Sequence, residues 1–388
     1  MSKLAGLDRI FKESIDRGDM PGVVAVVGGK QGTLYQGAFG RRDIGKPDPM
    51  TPDTVVWIAS MTKAITTVAI MQLVEQGRLD LDAPASRYAP AIGEAGVLEG
   101  FDEAGSPRLR APKQAVTVRQ LLTHTSGFGY DFASSAIRQY LKATGTPSTS
   151  SGKKASLSVP LLFDPGEAFA YGISTDWAGQ IVEAISGQDL QAYFAEHILE
   201  PLGMTDTMFV LGPDQHARRA TVHAIKEDAS LVATDMVVQQ QPEFFGGGGG
   251  LYSTAGDYLA FLTMLLNDGT GNGRRILAAE TVAAMAVDQI PHLAMPEMKL
   301  GSPTGIRHTN FWPGMSQGWG LGFLINRETS PEGRPAGSLA WGGFANTLYW
   351  IDRENGIAGI LLAQVVPFFD PKVIALFKAF ETEVYRSL

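Results

Sequence analysis

The 388-residue sequence predicts an α/β protein of the α+β type. Three observations carry this. β-branched and apolar runs gather near both ends of the chain, helical periodicity dominates the middle, and glycine, at 45 residues, is in excess. Strand-rich ends around a helical insert are accommodated most simply when both ends enter one antiparallel sheet covered by the terminal helices. The length suits about two domains. The predicted division places residues 1–60 and 235–388 in an α/β domain and residues 61–234 in a mainly helical one.

Each element has its own warrant. Leu4, Leu7, Ile10, Phe11 and Ile15 recur at helical spacing, which predicts an amphipathic helix over 3–17. The run Gly-Val-Val-Ala-Val-Val at 22–27 reads as a strand, turned by Gly-Gly-Lys-Gln-Gly into a second strand at 33–39. Residues 55–59 read as a short apolar strand or extended segment, and 61–76 as a helix ended by Gly77. That helix is apolar on most sides, so it is expected to be buried. Further helices are predicted at 118–123 and 176–186. Residues 144–158, rich in Ser, Thr, Gly and Lys, and residues 292–318, rich in Pro, Gly and Met, read as exposed loops. Strands are expected at 319–326, 338–341, 346–352 and 356–365, then a terminal helix over 373–385.

Composition excludes several kinds of chemistry. Without cysteine there is no disulfide, thiolate metal site or cysteine nucleophile. The six histidines include no H-x-H or H-x-x-x-H pair, so no metal or other cofactor is predicted. The net charge of −8, without a basic stripe, argues against a nucleic-acid partner. The longest apolar run, near residues 356–366, is too short to span a bilayer, and the N-terminus lacks the pattern of a secretory signal. A cytoplasmic enzyme of unspecified oligomeric state with a small-molecule partner is the expectation.

Ser60-Met61-Thr62-Lys63 is the strongest local candidate for chemistry. A serine hydroxyl needs a base, and residues three apart on a helix share a face, so Lys63 can reach Ser60. A dry pocket with other positive groups nearby would help the lysine give up its proton. The bland alternative is a helix-capping serine beside a solvated lysine. Ser150/Lys153 and Ser151/Lys154 share the spacing but fall in the polar loop. Gly314-Met315-Ser316-Gln317-Gly318 fits a nucleophile elbow, yet no histidine follows Ser316 to complete a triad, so a glycine-rich turn is the better reading. The five glycines at 246–250 lack the Lys-Ser/Thr of a phosphate loop and are expected to let backbone pass close to another element or a ligand.

The motif Ser60-Met61-Thr62-Lys63, with the apolar helix and the Gly-Arg-Leu-Asp-Leu-Asp that follow it, resembles the first motif of the serine β-lactamase/penicillin-binding protein superfamily. The resemblance continues through Val-Arg-Gln-Leu-Leu-Thr-His-Thr-Ser-Gly at 118–127, Phe-Asp-Pro-Gly-Glu-Ala-Phe-Ala-Tyr at 163–171, and the C-terminal strands. Ser60, Lys63, Tyr171 and Trp341-Gly342-Gly343 together resemble the family VIII carboxylesterases, and also related acyltransferases acting on polyketide side chains. The resemblance implies a β-lactamase/DD-peptidase-like fold.

It also implies an acyl-enzyme on Ser60, with proton transfer by Lys63 and Tyr171, either of which could be the base. The implied oxyanion hole is the N–H groups of Ser60 and Phe344, with Gly342 and Gly343 allowing close approach. Class C β-lactamases carry Tyr-x-Asn and Lys-Thr/Ser-Gly, whereas here Ile173 and Trp341 stand at the Asn and Lys positions. Neither can bind a lactam's polar groups as those residues do, so the pocket is expected to favour neutral, apolar esters. Tyr130 is a further pocket candidate, or else a loop tyrosine. The function expected is a serine carboxylesterase acting on short-chain or small apolar esters. The alternatives are an acyltransferase to an alcohol, a β-lactamase or D-amino-acid peptidase, and a non-catalytic peptide-binding relative.

Overall fold

Both ends of the chain enter one sheet, as their apolar runs predict. The computed structural model describes residues 4, 6–302 and 305–388. Helix α1 (Leu7–Asp16) leads into the hairpin β1 (Gly22–Gly29) and β2 (Gly32–Gly40). Then come α2 (Thr62–Glu75), α3 (Val118–Leu122), α4 (Ser135–Thr144), α5 (Ser174–Ser186) and α6 (Ala255–Leu266). The C-terminal part supplies a small hairpin, β3 (Met298–Ser302) and β4 (Gly305–Thr309), and five strands of the main sheet. These are β5 (Gln317–Trp319), β6 (Leu324–Asn326), β7 (Leu339–Gly343), β8 (Thr347–Asp352) and β9 (Ile357–Leu362), followed by α7 (Pro371–Arg386).

The seven-stranded sheet has the order β5-β6-β7-β8-β9-β1-β2, and every adjacent pair is antiparallel. Register follows from the two-residue alternation of a strand. Trp350 of β8 meets Phe377 and Phe380 of α7, at centroid distances of 5.5 and 5.2 Å. Its neighbour Tyr349 points to the opposite face and meets Tyr258 of α6 at 5.3 Å. Phe11 of α1 bridges Phe39 of β2 and Phe380, so the two terminal helices share one face of the sheet. Burial of each such aromatic contributes about 1.5–3 kcal/mol. Helix α2 is buried along its whole length from Thr62 to Leu73, as its all-round apolar pattern predicts.

Several segments differ from the sequence reading. Residues 292–318 are not simply an exposed loop. They contain the β3–β4 hairpin, and Phe311 and Trp312 are buried. Trp312 donates its indole N–H to Glu332 at 2.6 Å and carries the Arg334 guanidinium over its ring at 4.7 Å. The Pro and Gly content there marks turns, while the aromatic pair is drawn into the core. Residues 144–158 form two short helical turns, and Ser156 and Leu157 are buried. The middle of the chain also holds a hairpin, Val97–Phe101 with Pro107–Arg110. The strand expected at 319–326 is instead two short strands meeting at a turn, where Gly322 adopts φ +84°. At 55–59 only Val56–Trp57 is a strand. No described helix is long and apolar enough to cross a membrane, and no group of three candidate metal ligands occurs among the described residues.

Candidate active site

Ser60 stands on a single helical turn, Ala59–Met61, that runs directly into α2. Ala59 adopts φ +45°, a left-handed backbone that costs a non-glycine residue about 1–2 kcal/mol. Neighbours clamp the turn in this shape. The Thr62 hydroxyl donates to the Ala59 carbonyl at 2.6 Å and accepts the Leu251 N–H at 3.1 Å. Tyr258 donates to the Met61 carbonyl at 2.9 Å, and Thr347 to the Ile58 carbonyl at 3.2 Å.

Lys63 lies one helical turn beyond and is buried. Its Nζ donates to Ser60 Oγ at 3.2 Å, to the Tyr130 hydroxyl at 3.2 Å and to the Gly248 carbonyl at 2.5 Å. An ammonium has three hydrogens, and these three acceptors match them. Tyr130 in turn donates to Asp176 Oδ2 at 2.9 Å, and Asp176 Oδ1 accepts the Gly248 N–H at 2.9 Å. Nearby positive groups would help Lys63 give up its proton, but the charged side chain closest to it across Tyr130 is the Asp176 carboxylate. Burial raises the Asp176 carboxyl above its usual range, against the opposing pull of Lys63 and of its hydrogen bonds. Burial, and then the Asp176 charge, hold the Tyr130 phenol well above its ordinary value.

Tyr171 meets Lys63 differently. Nζ lies 4.6 Å from the Tyr171 ring centroid, a cation–π contact, while the Tyr171 hydroxyl accepts the Trp341 indole N–H at 3.1 Å. Around this ring stand Trp341, His124 and Tyr130, at centroid distances of 5.1, 4.8 and 5.5 Å. His124 is fully buried, and burial followed by the Lys63 charge depresses its imidazole well below the ordinary value.

Two cavities meet at Ser60. The larger, about 430 Å³, is walled by Trp57, Tyr130, Phe209, Met236, Val237 and Phe244, with the glycine run along one side. The smaller is a slot of about 20 Å³ bounded by Tyr171, Leu300, Trp341, Gly342 and Phe368. Ser60, Phe132 and Phe344 border both. The Phe132 and Phe344 rings pack together at 5.7 Å and form the partition.

The other candidates are placed as follows. Trp341, Gly342 and Phe344 border the slot and Tyr130 borders the large cavity. Gly343 faces protein rather than cavity: a Cβ there would lie 2.2 Å from the Ile58 carbonyl, so only glycine lets β7 pass the turn that carries Ser60. Ile173 is buried at the start of α5 and borders neither cavity. Ser316 accepts a hydrogen bond from Arg327 at 3.1 Å and leads into the edge strand β5, not a helix. Lys153 and Lys154 are exposed. Asp176 and Gly248 were not foreseen in these roles. The glycine run announced a close approach, and Gly248 makes it: a Cβ there would stand 2.5 Å from both Asp176 Oδ2 and the Tyr130 hydroxyl.

Comparison with known proteins agrees with this architecture. The family model described as Beta-lactamase matches residues 7–380. The chain belongs to that family, within the serine β-lactamase/penicillin-binding protein superfamily. It is 34% identical to monacolin J acid methylbutanoyltransferase of Aspergillus terreus, covering 98% of this chain and 95% of that one. It is 32% identical to lovastatin esterase of Penicillium rubens, covering 98% of each. Unliganded simvastatin synthase from Aspergillus terreus superposes with a TM-score of 0.86 at 31% identity, covering 99% of this chain and 98% of that one.

Proposed function

We propose that the protein is a serine acyltransferase that loads an acyl group onto Ser60 and passes it to an alcohol. The observation that carries this reading is the meeting of two apolar cavities at Ser60. The larger cavity suits a bulky, mostly apolar acceptor, while the slot beside Trp341, with room for about one water-sized group, suits only the first atoms of a small acyl group. The transferase named above supports the same choice over simple hydrolysis. The site would lie in the cleft between residues 1–60 with 235–388, which supply Ser60, Gly248 and Phe344, and residues 61–234, which supply Lys63, Tyr130, Tyr171 and Asp176.

In this reading Ser60 Oγ attacks the donor carbonyl while Lys63 Nζ, 3.2 Å away, takes the hydroxyl proton. The developing oxyanion is held by the N–H groups of Ser60 and Phe344. Tyr171, on the slot side, returns a proton to the departing alcohol, and the acceptor alcohol then reverses the sequence. Trp341 places a neutral indole where a lactamase has a cation, which disfavours anionic lactams.

Hydrolysis is the second reading, favoured by the esterase among the relatives. The test is to supply a short acyl ester and measure how the acyl group divides between water and a bulky secondary alcohol. Transfer predominating at millimolar acceptor supports the proposal. Release to water alone, whatever acceptor is offered, makes the protein an esterase.

A further inference from the structure

Lys63 and Asp176 face each other across one hydroxyl group. Lys63 Nζ donates to the Tyr130 oxygen at 3.2 Å, and that oxygen donates its single proton to Asp176 Oδ2 at 2.9 Å. The Gly248 peptide forms a parallel bridge, its carbonyl accepting from Nζ at 2.5 Å and its N–H donating to Asp176 Oδ1 at 2.9 Å. All three side chains are buried. This arrangement contains a conflict. A base for Ser60 must offer a lone pair, whereas a neighbouring carboxylate favours the ammonium form. The conflict disappears if the carboxylate itself takes the proton.

We propose that Asp176 is the proton store of the site and that Tyr130 connects it to Lys63. One N–H bond of the Lys63 ammonium breaks, its electron pair stays on Nζ, and the proton forms an O–H bond on Tyr130. The original Tyr130 proton passes to Asp176 Oδ2. Tyr130 is unchanged, Lys63 becomes an amine, and Asp176 becomes a carboxylic acid. The amine then accepts the Ser60 proton as Oγ attacks. Atoms and charge balance throughout, and burial favours an uncharged pair over two separated ions. The other titratable groups around the pair are Tyr171, His124 and Asp131. Asp176 acts through Tyr130 and Lys63, so it is a positioning residue.

The inference rests on Ser60 being the nucleophile, and the experiment separates the two claims. The rate of labelling by a fluorophosphonate is measured against pH for the wild type and Asp176→Asn, with the labelled residue identified by mass spectrometry. Asn can accept the Tyr130 hydrogen bond but cannot store a proton. Lys63 must then lose its proton to water. The variant's rate should rise tenfold per pH unit through a range where the wild type is flat, placing its acid limb at higher pH. If Asp176 is only a counter-ion, its removal frees Lys63 and the acid limb moves to lower pH, which overturns the proposal. Label elsewhere than on Ser60 overturns this inference and the proposed function together. If Asp176→Asn does not fold, Tyr130→Phe serves: at least tenfold slower labelling with an unmoved acid limb is expected, and a wild-type rate refutes the connection.

Discussion

The indole N–H of Trp341 donates to the Tyr171 hydroxyl at 3.1 Å, which ties the strand bordering the slot to the segment that precedes α5. That bond fixes where the phenol points relative to Ser60. Trp341→Phe keeps the aromatic wall and removes the donor. A neutral hydrogen bond contributes about 1 kcal/mol, so the variant should lose about fivefold in kcat with little change in KM. Tyr171→Phe removes the proton carrier itself and should cost about 10²–10⁴ in kcat. Steady-state kinetics on one ester with both variants checks this. Equal, small losses would mean that Tyr171 is only part of the aromatic packing.

Gly248 is where the glycine run hydrogen-bonds to the Lys63 network, its carbonyl to Lys63 and its N–H to Asp176. A Cβ would meet Asp176 Oδ2 and the Tyr130 hydroxyl at 2.5 Å, and both are held by hydrogen bonds on other sides. Gly248→Ala should therefore lower kcat at least tenfold, whereas Gly249→Ala, whose nearest contact would be at 3.7 Å, should be near wild type. Thermal melting separates the causes: overpacking at 248 costs about 1–3 kcal/mol of stability.

These two sites show where the sequence was legible and where it was not. Ser60 and Lys63 are three residues apart on one helical turn, so local geometry alone predicts their contact. The alternating and β-branched runs of the main strands specify the sheet for the same reason. The bonds from Lys63 to Tyr130 and Gly248 span 67 and 185 residues, and no local periodicity reports them. Asp176 reads in sequence as an acid in the first turn of a helix, where acids are ordinarily favoured. Only the fold shows that this first turn is buried and faces Tyr130. Likewise, Pro and Gly in 292–318 correctly announced turns but gave no sign that Trp312 would be covered.

His124 gives a pH signature. Its imidazole is fully buried, with Lys63 adding an opposing charge, so the folded chain keeps it neutral well below its ordinary value. The unfolded chain binds a proton below about pH 6.5, and stability must therefore fall as pH drops through that value towards the folded one. The loss is concentrated below about pH 6.5, where the unfolded imidazole takes up a proton that the folded one does not. His124 also adopts φ +55°, which asparagine tolerates better than most residues. In His124→Asn the decline in melting temperature over this range should be visibly shallower than in the wild type. A parallel decline in both proteins would show that other groups set the acid sensitivity.

Phe132 and Phe344 partition the two cavities, their rings 5.7 Å apart. Phe344 also packs on Trp57 at 6.0 Å, and the proposed oxyanion N–H belongs to its backbone. Phe132 is 37% exposed, so its truncation opens the partition at little cost to the fold. Phe132→Ala should join the 20 Å³ slot to the 430 Å³ cavity. The proposed acyl subsite then loses its length limit. Across a series of nitrophenyl esters, kcat/KM for a long straight acyl chain relative to a two-carbon one should rise at least tenfold in Phe132→Ala. Phe344→Ala should broaden the same preference while retaining the backbone donor. The kcat on the shortest ester should fall far less than in Tyr171→Phe in both, because neither change removes a hydrogen-bonding group of Ser60, Lys63, Tyr130 or Tyr171, although Phe132 stacks on the Tyr130 ring at 4.8 Å. If chain-length preference does not move, the acyl group lies in the larger cavity, and the two subsites must be exchanged.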